Sequence, residues 1–141
     1  MSLLTPSEEQ AVLLAIAAAE KCTSGEIRVH MEIFCFGDPF RRALKLFGQL
    51  NMQATQQRNG ILIFIATGSK KLAIVGDEGI HACVGQPFWD ELIEVLQRSF
   101  KKGDHATALV ACIERCGQLL SKHFPVQDDD ENELSNAISY G

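Results

Sequence analysis

Residues 58–80 constrain the fold of this chain more than any other segment, because they pair two apolar runs with a tight polar turn: RNGILIFIATGSKKLAIVGDEGI. Residues 61–66 and 72–75 have the apolar and β-branched composition of strands. The linker at residues 67–70, Thr-Gly-Ser-Lys, is of the polar, glycine-containing kind that closes hairpins. The sequence therefore predicts a β-hairpin. Its first strand is apolar on both faces and is expected to be central in a sheet.

A helix and a strand are predicted ahead of the hairpin. Thr5, Pro6 and Glu8 make a capping box with proline at the first helical position, and the Ala- and Leu-rich stretch that follows ends near Lys21. The next strand, residues 26–33, alternates apolar and polar positions. Its polar row is Glu26, Arg28, His30 and Glu32. An alternating strand is expected to bury one face only.

Three further helices are predicted to cover the sheet. The first begins after Asp38, which can cap it, with Pro39 at its first position. Helical spacing predicts that its inward face is Phe40, Ala43, Leu44, Phe47 and Leu50. The second, residues 87–101, carries an apolar stripe of Phe88, Trp89, Leu92, Ile93, Leu96 and Phe100. The third follows a cap at Asp104.

Together these elements predict an α/β fold: a single three-layer-like sandwich with a mixed sheet covered by helices. The strand, helix and strand that run from residue 26 to residue 66 predict a parallel crossover, to which the hairpin adds an antiparallel strand. Residues 1–126 are predicted to form one domain. Residues 127–141 are acidic and poor in apolar side chains, and they are predicted to form a mobile C-terminal tail.

Polar side chains are expected to meet at one edge of this sheet. Both outer ends of a hairpin return to the same edge, so Arg58 and Asn59 are predicted to lie close to Asp77 and Glu78. The parallel crossover brings the start of the first strand to the same edge, and with it Glu26. This cluster is the candidate functional site.

Composition limits the classes of function. The net charge of -5 argues against nucleic-acid binding, which relies on Lys and Arg to neutralise phosphates. The N-terminus shows no export signal, and its apolar run at residues 11–19 is shorter than the roughly 20 residues that span a bilayer. The five cysteines are expected to be reduced thiols rather than disulfides or a zinc site. A cytoplasmic location is therefore predicted.

The sequence resembles the TPM domain family over about residues 7–125. The resemblance rests on the strand entry Asn-Gly-Ile-Leu at residues 59–62, on the turn Gly-Asp-Glu-Gly-Ile at residues 76–80, and on Phe100 and Gly103 before the last helix. Members of that family have an α/β sandwich fold, and some are described as acid phosphatases or calcium binders. The resemblance implies the same fold here. It also implies a protein partner, which can be one associated with a membrane.

Two functions are compatible with the candidate site. Glu26, Asp77 and Glu78 offer the oxygen ligands that Ca²⁺ or Mg²⁺ prefers. In a metal-assisted phosphatase acting on phosphate monoesters, Asp77 and Glu78 would hold the ion while Arg58 held the phosphate. In the other reading, the domain is a non-catalytic interaction module with a divalent-cation site. Because no nucleophile or general acid is recognisable, the second reading is preferred.

A purely structural explanation of the site also remains open. Arg58 can simply form an ion pair with Asp77 or Glu78 at a strand end, and such pairs are common. The supporting residues Asn59, Gly60, Gly76 and Gly79 can then serve turn geometry alone. His81 and Cys83 follow the acidic turn, but side chains two apart on a helix do not face each other, so they are not predicted to form a catalytic pair.

Overall fold

A computed structural model describes residues 4–126 and 138–141 of the chain. Its elements, in chain order, are α1 (Pro6–Glu20), β1 (Glu26–Glu32), α2 (Pro39–Gln49), β2 (Gly60–Ala66), β3 (Lys71–Gly76), α3 (Glu78–Val84), α4 (Gln86–Lys101), α5 (His105–His123) and β4 (Ser139–Tyr140). The predicted capping box at Thr5 and the predicted caps at Asp38 and Asp104 are all present.

The strands form one mixed sheet in the order β3-β2-β1-β4. β1 and β2 run parallel, from Glu26 opposite Gly60 to Glu32 opposite Ala66. β2 and β3 form the predicted antiparallel hairpin, with Ile61 opposite Gly76. We call the end of the sheet at which β1 and β2 begin the entry end, and the opposite end of these strands the exit end. The register confirms the predicted combination of a parallel crossover with a hairpin.

Helices cover both faces of the sheet. One face presents alternate residues of β1, β2 and β3 to α1, α4 and α5, and its buried side chains include Ile27, Val29, Ile61, Ile63, Ile74, Val12, Ile16, Trp89, Leu96, Leu109 and Ile113. The other face packs on α2 through a smaller core: Leu62, Phe64, Ala66, Ala73, Val75, Ala43, Leu46, Phe47 and Met52. The predicted three-layer α/β sandwich is confirmed.

The prediction that β1 buries only one face is wrong. Glu26, His30 and Glu32 are all less than a tenth exposed. The strand lies inside the sheet, with β2 on one side and β4 on the other. Its polar row is therefore covered by polar partners from elsewhere in the chain, which the alternation of a single strand cannot reveal.

The predicted inward face of α2 is partly wrong. Ala43 and Phe47 are buried as expected, but Phe40 and Leu44 are 44% and 47% exposed. Leu46 is buried instead. The helix carries two overlapping apolar stripes, and packing on β2 and β3 selects the one that includes Leu46.

The C-terminal prediction is corrected for its last residues. Residues 127–137, which account for most of the predicted mobile tail, lie outside the described residues. Ile138 is buried in the main core, and Ser139 and Tyr140 form β4 beside His30 and Met31 of β1. Residues 138–141 are therefore part of the folded domain.

Candidate functional site

Arg58 and Asp77 form a two-pronged ion pair at the entry end. Arg58 Nε donates to Asp77 Oδ2 at 2.7 Å, and Nη2 donates to Oδ1 at 2.9 Å. The Asp77 side chain is 4% exposed, whereas that of Arg58 is 42% exposed. The hydrogen bonds to Asp77 raise the pKa of Arg58 above its usual value. Both oxygens of the buried carboxylate are therefore bound by one guanidinium.

Asp77 is also the N-cap of α3. Its Oδ1 accepts a hydrogen bond from the backbone N–H of Glu78 at 2.8 Å. An N-cap carboxylate satisfies a free N–H group at the helix start and interacts favourably with the helix dipole. The turn that the sequence placed at residues 76–80 is thus the beginning of a short helix.

Close backbone packing sets the position of Arg58. The carbonyl of Arg58 accepts a hydrogen bond from Gly79 N at 2.8 Å. A Cβ atom on Gly79 would lie 2.1 Å from the carbonyl oxygen of Gln57, so only glycine fits. Arg58 itself has a positive φ of 51°, which is uncommon for a residue with a side chain. The loop is therefore held tightly against the start of α3.

Glu78 joins this cluster only loosely. Its Oε2 lies 3.7 Å from Arg58 Nη1, and its side chain is 78% exposed. An exposed pair at that distance contributes little to stability.

Glu26 lies at the entry end, but its carboxyl group interacts elsewhere. It forms a side-chain hydrogen bond with Glu20, at the end of α1. Glu20 Oε2 also accepts from the backbone N–H of Ile27 at 3.0 Å. Burial, followed by the bond to Glu26, raises the pKa of Glu20 to about 9. Glu20 is therefore protonated at neutral pH and donates to Glu26, a partner that the sequence did not suggest.

The remaining predicted site residues have structural contacts. Asn59 is 1% exposed, and its Nδ2 donates to Ser24 Oγ at 3.2 Å. Gly60 accepts from Asp77 N at 2.9 Å through its carbonyl and starts β2. A Cβ atom on Gly76 would lie 2.2 Å from the Trp89 ring, so this glycine makes room for the indole.

The other chemically interesting groups do not add a reactive centre. His81 Nδ1 accepts from Trp89 Nε1 at 2.9 Å, and the Cys83 thiol donates to the carbonyl of Gly79, so the two do not face each other. Across residues 4–126 and 138–141, no group of three or more His, Cys, Asp or Glu side chains is arranged to hold a metal ion. The proposed ligands Asp77 and Glu78 are neighbours, while Glu26 faces Glu20.

A second buried ion pair lies at the exit end. Arg42 Nε donates to Glu32 Oε1 at 3.1 Å, with Nη2 on the same oxygen. His30 Nε2 lies 3.1 Å from that oxygen, and His30 Nδ1 lies 2.7 Å from Ser139 Oγ. Burial alone would raise the pKa of Glu32, but the hydrogen bonds from Arg42 and His30 outweigh it and lower that pKa. Burial lowers the pKa of His30.

Apolar and basic side chains, most of them exposed, lie on α2, on the segment before it and on the hairpin turn, near this ion pair. We call this group the aromatic-basic surface, and it consists of Phe34, Phe36, Phe40, Leu44, Arg41, Lys45, Lys70 and Lys71. Sequence analysis missed it because the apolar spacing of α2 is compatible with an inward Phe40 and Leu44. The signal that was available is the density of aromatic and basic residues between positions 34 and 45, FCFGDPFRRALK.

Comparison with known proteins places this fold among solved structures. BA42 protein from the psychrophilic bacterium Bizionia argentinensis, solved by NMR, is 45% identical, with a TM-score of 0.91 over 99% of this chain and 97% of that one. The N-terminal domain of cg2496 protein from Corynebacterium glutamicum shares the fold, with a TM-score of 0.69 at 16% identity over 94% and 84% of the two chains. Among curated proteins, none matches significantly.

Two further findings bear on the class of the protein. Within the part of the chain that the structure describes, no helix is long and apolar enough to cross a membrane. The sequence model of the TPM domain matches residues 1–119, most of the chain. The chain therefore belongs to the TPM domain family.

Proposed function

We propose that this TPM domain is a non-catalytic interaction module. The observation that supports the proposal is the two-pronged bond between Arg58 and Asp77. A phosphate-binding arginine must present free N–H groups to its substrate, and a catalytic or metal-binding carboxylate must present a free oxygen. Here both oxygens of Asp77 accept from Arg58, and Oδ1 also caps α3, while Arg58 uses two of its five N–H groups on Asp77 and is held by them in one orientation. The pair stabilises the fold and leaves recognition to other surfaces.

We also infer a cytoplasmic location. All five cysteines are free thiols, and Cys35, Cys112 and Cys116 are buried. A hydrogen bond with Cys112, together with burial, raises the pKa of Cys116, which keeps this thiol in its less reactive protonated form. Unpaired cysteines at this frequency fit a reducing compartment.

The test is turnover of an aryl phosphate in the presence of Ca²⁺ or Mg²⁺. We expect no hydrolysis above a buffer blank, because a phosphatase at this site would first have to separate Arg58 from Asp77. Arg58→Ala and Asp77→Asn are the informative variants, and Arg98→Ala, an exposed arginine of α4, is the matched control. Metal-dependent hydrolysis that both site variants lose while folded, and that the control retains, would establish the alternative function, a metal-assisted phosphatase.

The proposal includes a divalent-cation site, with two carboxylate ligands rather than three. The three carboxylates do not converge, so the ligands that can act together are Asp77 and Glu78. An ion would compete with Arg58 for Asp77, and binding is expected to be weak. Excess Ca²⁺ or Mg²⁺ should raise the melting temperature slightly through mass action, and more in Arg58→Ala. Asp77→Asn combined with Glu78→Gln should abolish the shift. A shift that survives the double substitution would place the ion elsewhere.

A further inference from the structure

The aromatic-basic surface contains four exposed apolar side chains, Phe34, Phe36, Phe40 and Leu44. Phe36 is 92% exposed and Phe34 59%, and their rings stack with centroids 6.1 Å apart. Phe40 and Leu44 lie one turn apart on α2 and are nearly half exposed. Single exposed apolar residues are ordinary, whereas a group of this kind marks an interaction site.

The segment around Phe36 is held in place by hydrogen bonds to the hairpin turn and by the buried side chain of Cys35. Gly68 N donates to the carbonyl of Ile33 at 2.6 Å, and Cys35 N donates to Ser69 Oγ at 2.9 Å. Lys71 Nζ donates to the carbonyl of Gly37 at 2.7 Å. Because these bonds fix the backbone on both sides of Phe36, its ring is presented to solvent at little further entropic cost on binding.

The charge around these rings is opposite to that of the whole chain. The chain carries a net charge of -5, yet residues 34–45 contain three cationic side chains and a single acidic one, Asp38. Arg42 is paired with Glu32, which leaves Arg41 and Lys45 as the cations that this segment adds to the surface. Arg41 and Lys45, one turn apart on α2, are exposed beside Phe40 and Leu44. Lys70 and Lys71 add cations from the hairpin. A partner for this surface is therefore anionic.

We propose that the aromatic-basic surface docks on an anionic lipid bilayer, as a partner for the interaction module proposed above. A bilayer fits better than a protein because Phe36 projects almost wholly into solvent, where it can enter the boundary between headgroups and acyl chains. Protein interfaces instead bury such anchors in pockets. The flanking cations would lie at the level of the lipid phosphates, as in polybasic membrane-binding segments.

Vesicle cosedimentation tests this inference with the whole chain. Vesicles of phosphatidylcholine mixed with phosphatidylserine should bind the protein, and vesicles of phosphatidylcholine alone should bind it much less. Phe36→Ser should weaken binding about tenfold or more, since it removes one inserted aromatic ring. Arg41→Glu should weaken binding at least about fivefold, and added salt should also weaken it.

Matched controls separate this surface from general stickiness. Leu14→Ser removes an apolar side chain that is 59% exposed on α1, and Lys21→Glu reverses an exposed charge at the end of α1, near the entry end; neither should change binding. Equal binding to both vesicle types, or equal losses in the control and surface variants, would overturn the inference. So would an absence of vesicle binding together with a protein partner that Phe36→Ser releases, although that result would leave the interaction module intact. Phosphatase turnover would instead refute the proposed function and leave the vesicle result to stand by itself.

Discussion

The two ends of the sheet contain the same kind of ion pair but differ in what surrounds it. At the entry end, Arg58 binds the buried Asp77; at the exit end, Arg42 binds the buried Glu32. Both arginines are partly exposed and both carboxylates are almost wholly buried. Among residues 4–126 and 138–141, exposed aromatic rings follow the pair at the exit end and not the pair at the entry end, and Phe36 is the most exposed of them.

This difference separates a pair that stabilises the fold, at the entry end, from the surface that we propose for binding, at the exit end. A buried carboxylate whose two oxygens both accept hydrogen bonds contributes to folding, and sequence cannot distinguish it from a carboxylate with a free oxygen. An aromatic ring left in water by a fixed backbone contributes nothing to folding. Its presence needs another explanation, and the neighbouring cations supply one.

The largest expected effect contrasts two phenylalanines near the exit end. Phe100 is 6% exposed and belongs to the main core, whereas Phe36 is 92% exposed. Phe100→Ala should lower the free energy of unfolding by about 3–5 kcal/mol, the usual range for a buried aromatic side chain. Phe36→Ala should change it by less than about 0.5 kcal/mol. Urea denaturation of both variants measures the contrast. A comparable loss in the two variants would mean that Phe36 packs in the folded domain, and the proposed surface would disappear.

A smaller effect compares the two ion pairs. Asp77→Asn keeps the shape and the capping ability of the side chain but removes its charge. With allowance for the partly exposed arginine, we expect a loss of about 1–2 kcal/mol in the free energy of unfolding. Glu32→Gln should cost a similar amount, because Arg42 loses the same kind of partner. Denaturant midpoints at neutral pH compare the two.

The direction of the Asp77→Asn result carries the information about function. Residues held for catalysis are often maintained at a cost to stability, so replacing them stabilises the fold. An increase in stability in Asp77→Asn, with the expected decrease in Glu32→Gln, would show that the entry end is the strained and functional one.

The main features of the fold could be predicted because they depend on local signals. The hairpin follows from a polar turn between two apolar runs, and the helix starts follow from caps such as Thr5 and Asp38. The proximity of Arg58 to Asp77 follows from hairpin geometry alone. These features require no knowledge of what the rest of the chain contributes.

The features that sequence missed depend on partners distant in the chain. Glu26 lies at the predicted edge, but Glu20 of α1 determines where its carboxyl group points. β4 is a strand of two residues after an acidic tract, too short to show any periodicity. The exposure of Phe40 depends on which of two apolar stripes of α2 meets the sheet. In each case tertiary packing decides between arrangements that are locally equivalent.

The smallest and most specific effect concerns the pH dependence of the two ends. Glu20, at the entry end, has a folded-state pKa of about 9 against an ordinary value of 4.5. Its folded form therefore keeps a proton that the unfolded chain loses, and stability should fall as the pH rises between these values. At the exit end, the pKa values of His30 and Glu32 are lowered. There the unfolded chain binds more protons, so stability should fall as the pH drops below about 6.5 and again below about 4.5.

Glu20→Gln isolates the entry-end contribution. An amide can accept from Ile27 N and donate to Glu26 just as the protonated acid does, but it does not titrate. Urea unfolding should show a variant equal to the wild type near pH 4.5 and progressively more stable than it toward pH 9, the window set by the two pKa values. Glu114→Gln, at an exposed position on α5, should show no such trend. If the free energy of unfolding of Glu20→Gln equals that of the wild type at every pH, Glu20 is ionised in the folded domain. The proposed hydrogen bond from protonated Glu20 to Glu26 would then be wrong.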